Sequence, residues 1–97
     1  MLPSWSPGNL LRHFRKHGHK FPFTNVTDYE RSSLATIIQG TRFTYDDGGI
    51  PRIGYYDRST NRLTVVSDDG DGRAIITHFP PSSGEQYCRT RSNSTYV

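Results

Sequence analysis

The sequence predicts an α+β domain, with two N-terminal helices packed on a four-stranded antiparallel meander sheet. Apolar residues recur at helical spacing up to about residue 39 and alternate after it, so the period switches once. The turns beyond residue 40 are short, which forces consecutive strands to pair antiparallel. The chain is 97 residues long, enough for one core and one domain. Helices that precede the strands pack on one sheet face and leave the other free to bind something.

Residues 1–6 read as an irregular lead-in, with Trp5 docking on the body as an apolar plug. Ser6-Pro7 starts a helix, Ser as N-cap and Pro at the first helical position. Leu10, Leu11 and Phe14 give its buried stripe, and Gly18 ends it as a left-handed cap. Phe21-Pro22-Phe23 breaks the chain and pins the connection to the core. Thr27 and Glu30 form a capping box for a second helix, which turns Leu34, Ile37 and Ile38 inward and stops at Gly40. Strands follow at 42–45, 52–57, 62–67 and 73–79, joined by turns at 46–49, 58–61 and 68–72. Pro80-Pro81 ends the sheet. The stretch 82–97 is polar and reads as a tail that frays or adds a marginal edge strand.

Composition narrows the class. Apolar content is 32%, and the mean hydropathy of −0.72 fits a thinly cored globule. Net charge is +3, and ten of the twelve cationic residues are Arg, the side chain suited to forked contacts with phosphate. Cys88 is the sole cysteine, which excludes an internal disulfide and a four-cysteine zinc site. No apolar run approaches the roughly 20 residues of a membrane span. The N-terminus lacks the basic-then-apolar order of a Sec signal.

The most unusual stretch is residues 12–21, which holds three of the four histidines and both lysines. No Asp or Glu precedes Asp28, so this cluster has no acidic neighbour in sequence. On a helix His13 and His17 share a face, with Lys16 beside them and Arg15 and Lys20 adding charge. His17 falls in the last turn, where the helix dipole favours the protonated ring. Such a surface suits a site that meets phosphate and moves protons near neutral pH. The bland alternative is a solvated cationic face. A zinc reading would use His13, His17 and His19, but the helix carries no Glu as general base, so no metal site is assigned.

A second signal lies at the last strand. Arg73 and Thr77 share one side, where they could hold a phosphate, while Ala74, Ile76 and His78 share the other. Alternation leaves open whether Thr77 or His78 faces the helix cluster, and both can do so only if the strand twists or bulges. A third signal is Tyr55-Tyr56, of which one could stack on a base from the open sheet face. Asp57 and Asn61 stabilise the turn beside it.

Over about 70 residues, His13-Phe14-x-Lys16-His17-Gly18-x-x-Phe21, Tyr29 and Ala35, Tyr56-Asp57-x-x-Thr60-Asn61, Val65-Val66 and Ile76-Thr77-x-Phe79-Pro80 form one ordered pattern. It resembles the C-terminal toxin domains of contact-dependent inhibition (CdiA-type) and other polymorphic bacterial toxins of the barnase/EndoU/colicin/RelE group. The resemblance implies the same helices-then-sheet fold and a metal-independent endoribonuclease, often one that cuts tRNA, with no cofactor. It implies a site of His17, Lys16 and Thr77 with His13 nearby. The chain departs from it at His78, where an aromatic such as Tyr is the rule. His78 is then either a packing residue or a second proton-transfer group.

Metal-free cleavage uses the RNA 2′-OH as nucleophile and leaves a 2′,3′-cyclic phosphate. The residues suggest His17 as base, His13 or His78 as acid, Lys16 and Arg73 on the phosphate charge, and Thr77 as its positioner. Such an enzyme would be a secreted or surface-delivered effector acting in a target cell's cytoplasm, and its maker would need a cognate, acidic immunity protein. The alternatives are a non-catalytic RNA-binding module using the basic helix with Tyr55 and Tyr56, and a plain interaction domain read through its sheet edge.

Overall fold

A computed structural model of the chain describes residues 2–68 and 74–97. Helix α1 (Pro7–His17) is capped by Ser6, whose Oγ accepts the Asn9 N–H at 3.4 Å. It does not end on a left-handed glycine. Gly18 stays right-handed and opens a 3-10 turn, Gly18–Lys20. Glycine is needed there for room, because a Cβ would sit 2.7 Å from the Phe14 ring. Helix α2 (Val26–Gln39) starts earlier than the Thr27 box suggests. Asn25 is its N-cap, accepting the Asp28 N–H at 2.9 Å and donating to the Asp28 carboxylate at 3.1 Å. Asn caps as well as Thr and lies one step before the first helical residue, so it takes the position.

Four strands follow: β1 (Thr41–Asp47), β2 (Ile50–Asp57), β3 (Arg62–Ser67) and β4 (Ile75–Phe79). They form one antiparallel sheet in the order β1-β2-β3-β4. Gly48 and Gly49, both at positive φ, make the two-residue β1–β2 turn, so these strands run longer than their alternating cores. The 68–72 turn lies, after Asp68, outside the described residues. A short third helix, α3 (Glu85–Arg89), comes last.

Each sheet face has its own core. Trp5, Phe21, Tyr29, Ile37, Ile53, Val66 and Ile75 pack between the sheet and α1/α2. Trp5 is pinned there by its Nε1–H, which donates to Ser33 Oγ at 2.8 Å. Leu11 and Ile38 face solvent instead of the core, because Leu10, Phe14, Leu34 and Ile37 already fill the stripes beside them. On the second face Phe43, Tyr56, Leu63, Val65 and Cys88 pack together under α3 and the tail.

The polar tail is therefore part of the fold. Ser92 accepts the Asp46 N–H at 2.8 Å, and Thr95 bonds Thr44, so the tail closes the β1 edge. Tyr96 anchors it against Phe43 and Tyr56. The β4 edge is closed from the other end of the chain. Asn9 donates to the Ile75 and Ile76 carbonyls at 3.1 and 3.3 Å, and Ile75 N–H donates to Ser4. Covering both edges removes the open strand that would invite aggregation.

One irregularity positions the site. Val66 pairs with Ile75 but Val65 with Thr77, so Ile76 is an extra residue, a β-bulge. Ile75 and His78 consequently face the helices, while Thr77 and Phe79 belong to the second face, opposite Val65 and Leu63. Among the described residues no helix is long and apolar enough to cross a membrane.

Candidate active site at the edge of strand β4

Helix α1 runs along the β4 edge because their spacings match. Four helical residues rise about 6 Å and two strand residues about 6.6 Å. Asn9, His13 and His17 thus meet Ile75/Ile76, Thr77 and Phe79 in turn. His13 Nδ1 lies 3.1 Å from Thr77 Oγ1. The His13 ring stacks on His17 at 5.7 Å between centroids, and His17 stacks on Phe79 at 5.4 Å. The predicted helix cluster and last-strand threonine do come together, and the contact runs through His13.

The three site histidines sit in different surroundings. His13 is half-exposed, and its pKa is lowered by burial first and then by the Arg12 and Lys16 charges. His17 is buried, and its pKa falls to about 4, through burial first and then Lys20 and the other neighbouring cations. That reverses the helix-dipole expectation of a protonated ring: desolvation and four nearby basic groups outweigh a terminal dipole. Lys20 Nζ can only donate, so at 3.2 Å it occupies His17 Nδ1 as acceptor and leaves the ring proton on Nε2. A ring so arranged has no free lone pair, and His17 is not placed to act as the base.

His78 is fully enclosed. Its Nδ1–H donates to the Leu63 carbonyl at 3.0 Å and to Thr64 Oγ1 at 2.9 Å, and Ser32 Oγ donates to Nε2 at 2.8 Å. The ring stacks on Phe21 at 4.9 Å, and burial drives its pKa down to about 3. His78 is a packing residue and not a proton-transfer group. The Tyr29 hydroxyl donates to its backbone carbonyl.

The other expected residues divide. Lys16 and Arg15 are exposed on α1, and the Lys16 charge is close enough to depress both neighbouring histidines. Lys20 is engaged with His17. Tyr56 is buried, its hydroxyl donating to Asn61 Oδ1 at 2.7 Å, and Tyr55 is partly buried against the helix-side core. Tyr56 therefore offers no face to a base, while Tyr55 keeps part of its surface exposed. Arg73 lies outside the described residues. Asp57 Oδ1 accepts the Ser59 N–H and hydroxyl and so holds the turn as the sequence suggests.

No protein-family model matches the chain, and no curated protein shows significant similarity to it.

Sequence reasoning missed the cleft on the second face. Its volume is about 320 Å³, and Tyr45, Arg52, Thr77, Phe79, Tyr87 and Arg91 line it. The Arg52 side chain is only 19% exposed, with Asp47 at 3.7 Å as its counter-charge. Its buried Nε makes no hydrogen bond among the described residues. The Arg91 guanidinium stacks 3.9 Å from the Tyr87 ring centroid while its Nε donates to the Tyr87 carbonyl at 3.0 Å. Burial pushes the Tyr45 phenol up to about 12, helped by Tyr87 and Asp47. The sequence did hold two signals for this cleft, namely the helical i, i+4 spacing of Tyr87 and Arg91 and the outward alternation of Tyr45 and Arg52. Thr77 belongs to both places, touching His13 at the edge and lining the cleft. Among the described residues no group of three or more His, Cys, Asp or Glu side chains is placed to hold a metal ion.

Proposed function

We propose that this domain is a metal-independent endoribonuclease toxin of the barnase/EndoU/colicin/RelE kind, acting on tRNA in the cytoplasm of a target bacterium. The observation that carries the reading is the 3.1 Å contact between His13 Nδ1 and Thr77 Oγ1 at the lip of an arginine-lined cleft. When the Nδ1–H donates to Thr77, the Nε2 lone pair is left free, and the lowered pKa keeps the ring neutral at pH 7. That is the form a general base needs. The threonine hydroxyl can accept from His13 and still donate its own proton to a non-bridging phosphate oxygen.

In this scheme His13 Nε2 takes the proton of the 2′-OH, and the 2′-oxygen attacks phosphorus. The 5′-oxygen leaves with a proton from solvent, giving a 2′,3′-cyclic phosphate and a 5′-OH. Lys16, exposed one helical turn from His13, stabilises the phosphorane charge. His17 serves as a prop, stacked between His13 and Phe79.

An enzyme of this kind endangers its maker. The reading therefore includes a cognate immunity protein with an acidic face that covers α1, and delivery of the toxin from the producer's surface. The non-catalytic RNA-binding reading keeps the cationic helix but loses Tyr56, which the core encloses.

The test is His13→Ala, assayed for RNA cleavage in EDTA. General-base loss should cost roughly 10²–10⁴-fold in rate, with the melting temperature close to the parent's. Cleavage at the parental rate would remove His13 from the chemistry.

A further inference from the structure

We infer that the cleft on the second sheet face binds one unstacked ribonucleotide, its phosphate on Arg52 and its base against the Tyr87–Arg91 pair. The substrate is then RNA in a single-stranded or looped form and not a continuous duplex. This inference rests on the ribonuclease reading for its biological meaning, but the binding site stands on its own geometry.

Arg52 is the main observation. A guanidinium that is four-fifths buried, with one distant carboxylate and a buried Nε lacking a hydrogen bond, is poorly satisfied. Buried polar groups are almost always hydrogen-bonded, so this guanidinium is under-satisfied. Its Nε is enclosed, and an external acceptor would meet it through the Nη groups that face the cleft. A phosphate oxygen is the acceptor that a planar guanidinium fits best, in a forked contact. Thr77, two strands away on the same face, lines the same cleft.

The rest of the lining suits a base. Tyr87 presents a ring with the Arg91 guanidinium already stacked on it, and aromatic rings and arginine planes are the platforms on which proteins hold splayed bases. Phe79 supports Tyr87 edge-on at 5.4 Å, which keeps that ring upright. The cleft volume is at the low end for small-molecule sites, which suits one nucleotide and leaves no room for a stacked pair. Asp46 and Asp47 lie beyond Arg52, at the hairpin end, where carboxylates can accept from base amino groups.

The position of Thr77 sets the path of the strand. A strand with one nucleotide in the cleft crosses β4 at Thr77 and reaches the cationic flank of α1. The nucleotide in the cleft would thus lie directly beside the phosphate that His13 acts on.

The probe is a short 2′-O-methyl RNA, which cannot be cut, offered as single strand and as duplex in fluorescence anisotropy. The parent protein should bind the single strand at least tenfold more tightly than the duplex. Arg52→Gln and Tyr87→Ala should each weaken single-strand binding by roughly five- to a hundredfold, the worth of one stacked base or one charged contact. Arg91→Gln, at the partly exposed rim, provides a variant of low folding risk and should weaken it in the same direction. Equal affinity for both forms, or parental binding by folded Arg52→Gln and Arg91→Gln, overturns the inference. If the cleft variants lose binding while the parent fails to cut unmodified RNA, the nucleotide site stands and the ribonuclease reading falls.

Discussion

His13 and His78 are the same side chain in two environments set apart by one strand. His13 reaches the edge of β4 from α1, half-exposed, with one nitrogen on Thr77. His78 points from β4 into the helix-side core, and both of its nitrogens are taken by Ser32, Thr64 and the Leu63 carbonyl. Burial lowers both pKa values, yet only His13 keeps a nitrogen that a substrate could meet. An imidazole's usefulness is decided by its free lone pair and its access to solvent and not by its presence in a histidine-rich stretch. His17, stacked beside His13 but held by Lys20, makes the same point from within the cluster.

The comparison can be broken most forcefully by removing the buried partner. His78→Ala leaves a cavity and strips the Ser32 hydroxyl of its acceptor, so it should cost roughly 3–5 kcal/mol of stability. Urea denaturation would show it, and the molecules that remain folded should cut RNA at the parental rate. A stable variant with impaired cleavage would move His78 into the chemistry.

A pH series sharpens the contrast without mutation. His78 has a folded pKa of about 3 and an unfolded one near the ordinary 6.5, so between those values the unfolded chain binds more protons. Stability is then whole above pH 6.5 and falls as the pH drops, by at most about 1.4 kcal/mol per unit for one histidine. His17 adds to the loss with the same sign down to about pH 4. Equal unfolding midpoints at pH 7 and pH 5 would contradict the buried neutral state.

Smaller effects separate the two sides of the strand again. Thr77→Val keeps the shape but removes the group that fixes the His13 tautomer, and cleavage should slow by roughly tenfold, the worth of one hydrogen bond. Tyr56→Phe loses the Asn61 bond in the core, about 1 kcal/mol of stability, and leaves the cleavage rate unchanged. A drop in cleavage for the folded Tyr56→Phe protein would show that the ring meets substrate after all.

Much of the fold was legible because local rules acted alone. Ser6-Pro7 starts α1, Gly40 stops α2, and the alternation of residues 62–67 marks β3 at both ends. Where two signals competed, the sequence did not decide. Asn25 and Thr27 are both good caps, and only packing selects the first. Adjacent apolar residues such as Ile37 and Ile38 cannot both face one core, and the helix phase chooses Ile37. The tail misled because its anchors are single aromatics, Tyr87 and Tyr96, spaced among short polar residues that read as loop.

The site was half-legible for a related reason. The His13–Thr77 approach needs a bulge at Ile76, which reassigns which residues of β4 face the helices, and no alternation rule contains it. The cleft joins residues from all four strands and the tail, and its arginine gains its place only from the sheet register, which sets it opposite Tyr45.

The central claim is metal-free cleavage of RNA at the edge of β4, and one measurement meets it directly. The purified domain, folded and free of inhibitor, is incubated with total tRNA in EDTA, and the new RNA ends are identified. Discrete fragments carrying 2′,3′-cyclic phosphate and 5′-OH ends are the predicted result. Intact tRNA in EDTA would contradict the account, and cleavage that returns only with added zinc or magnesium would assign the chemistry to a metal.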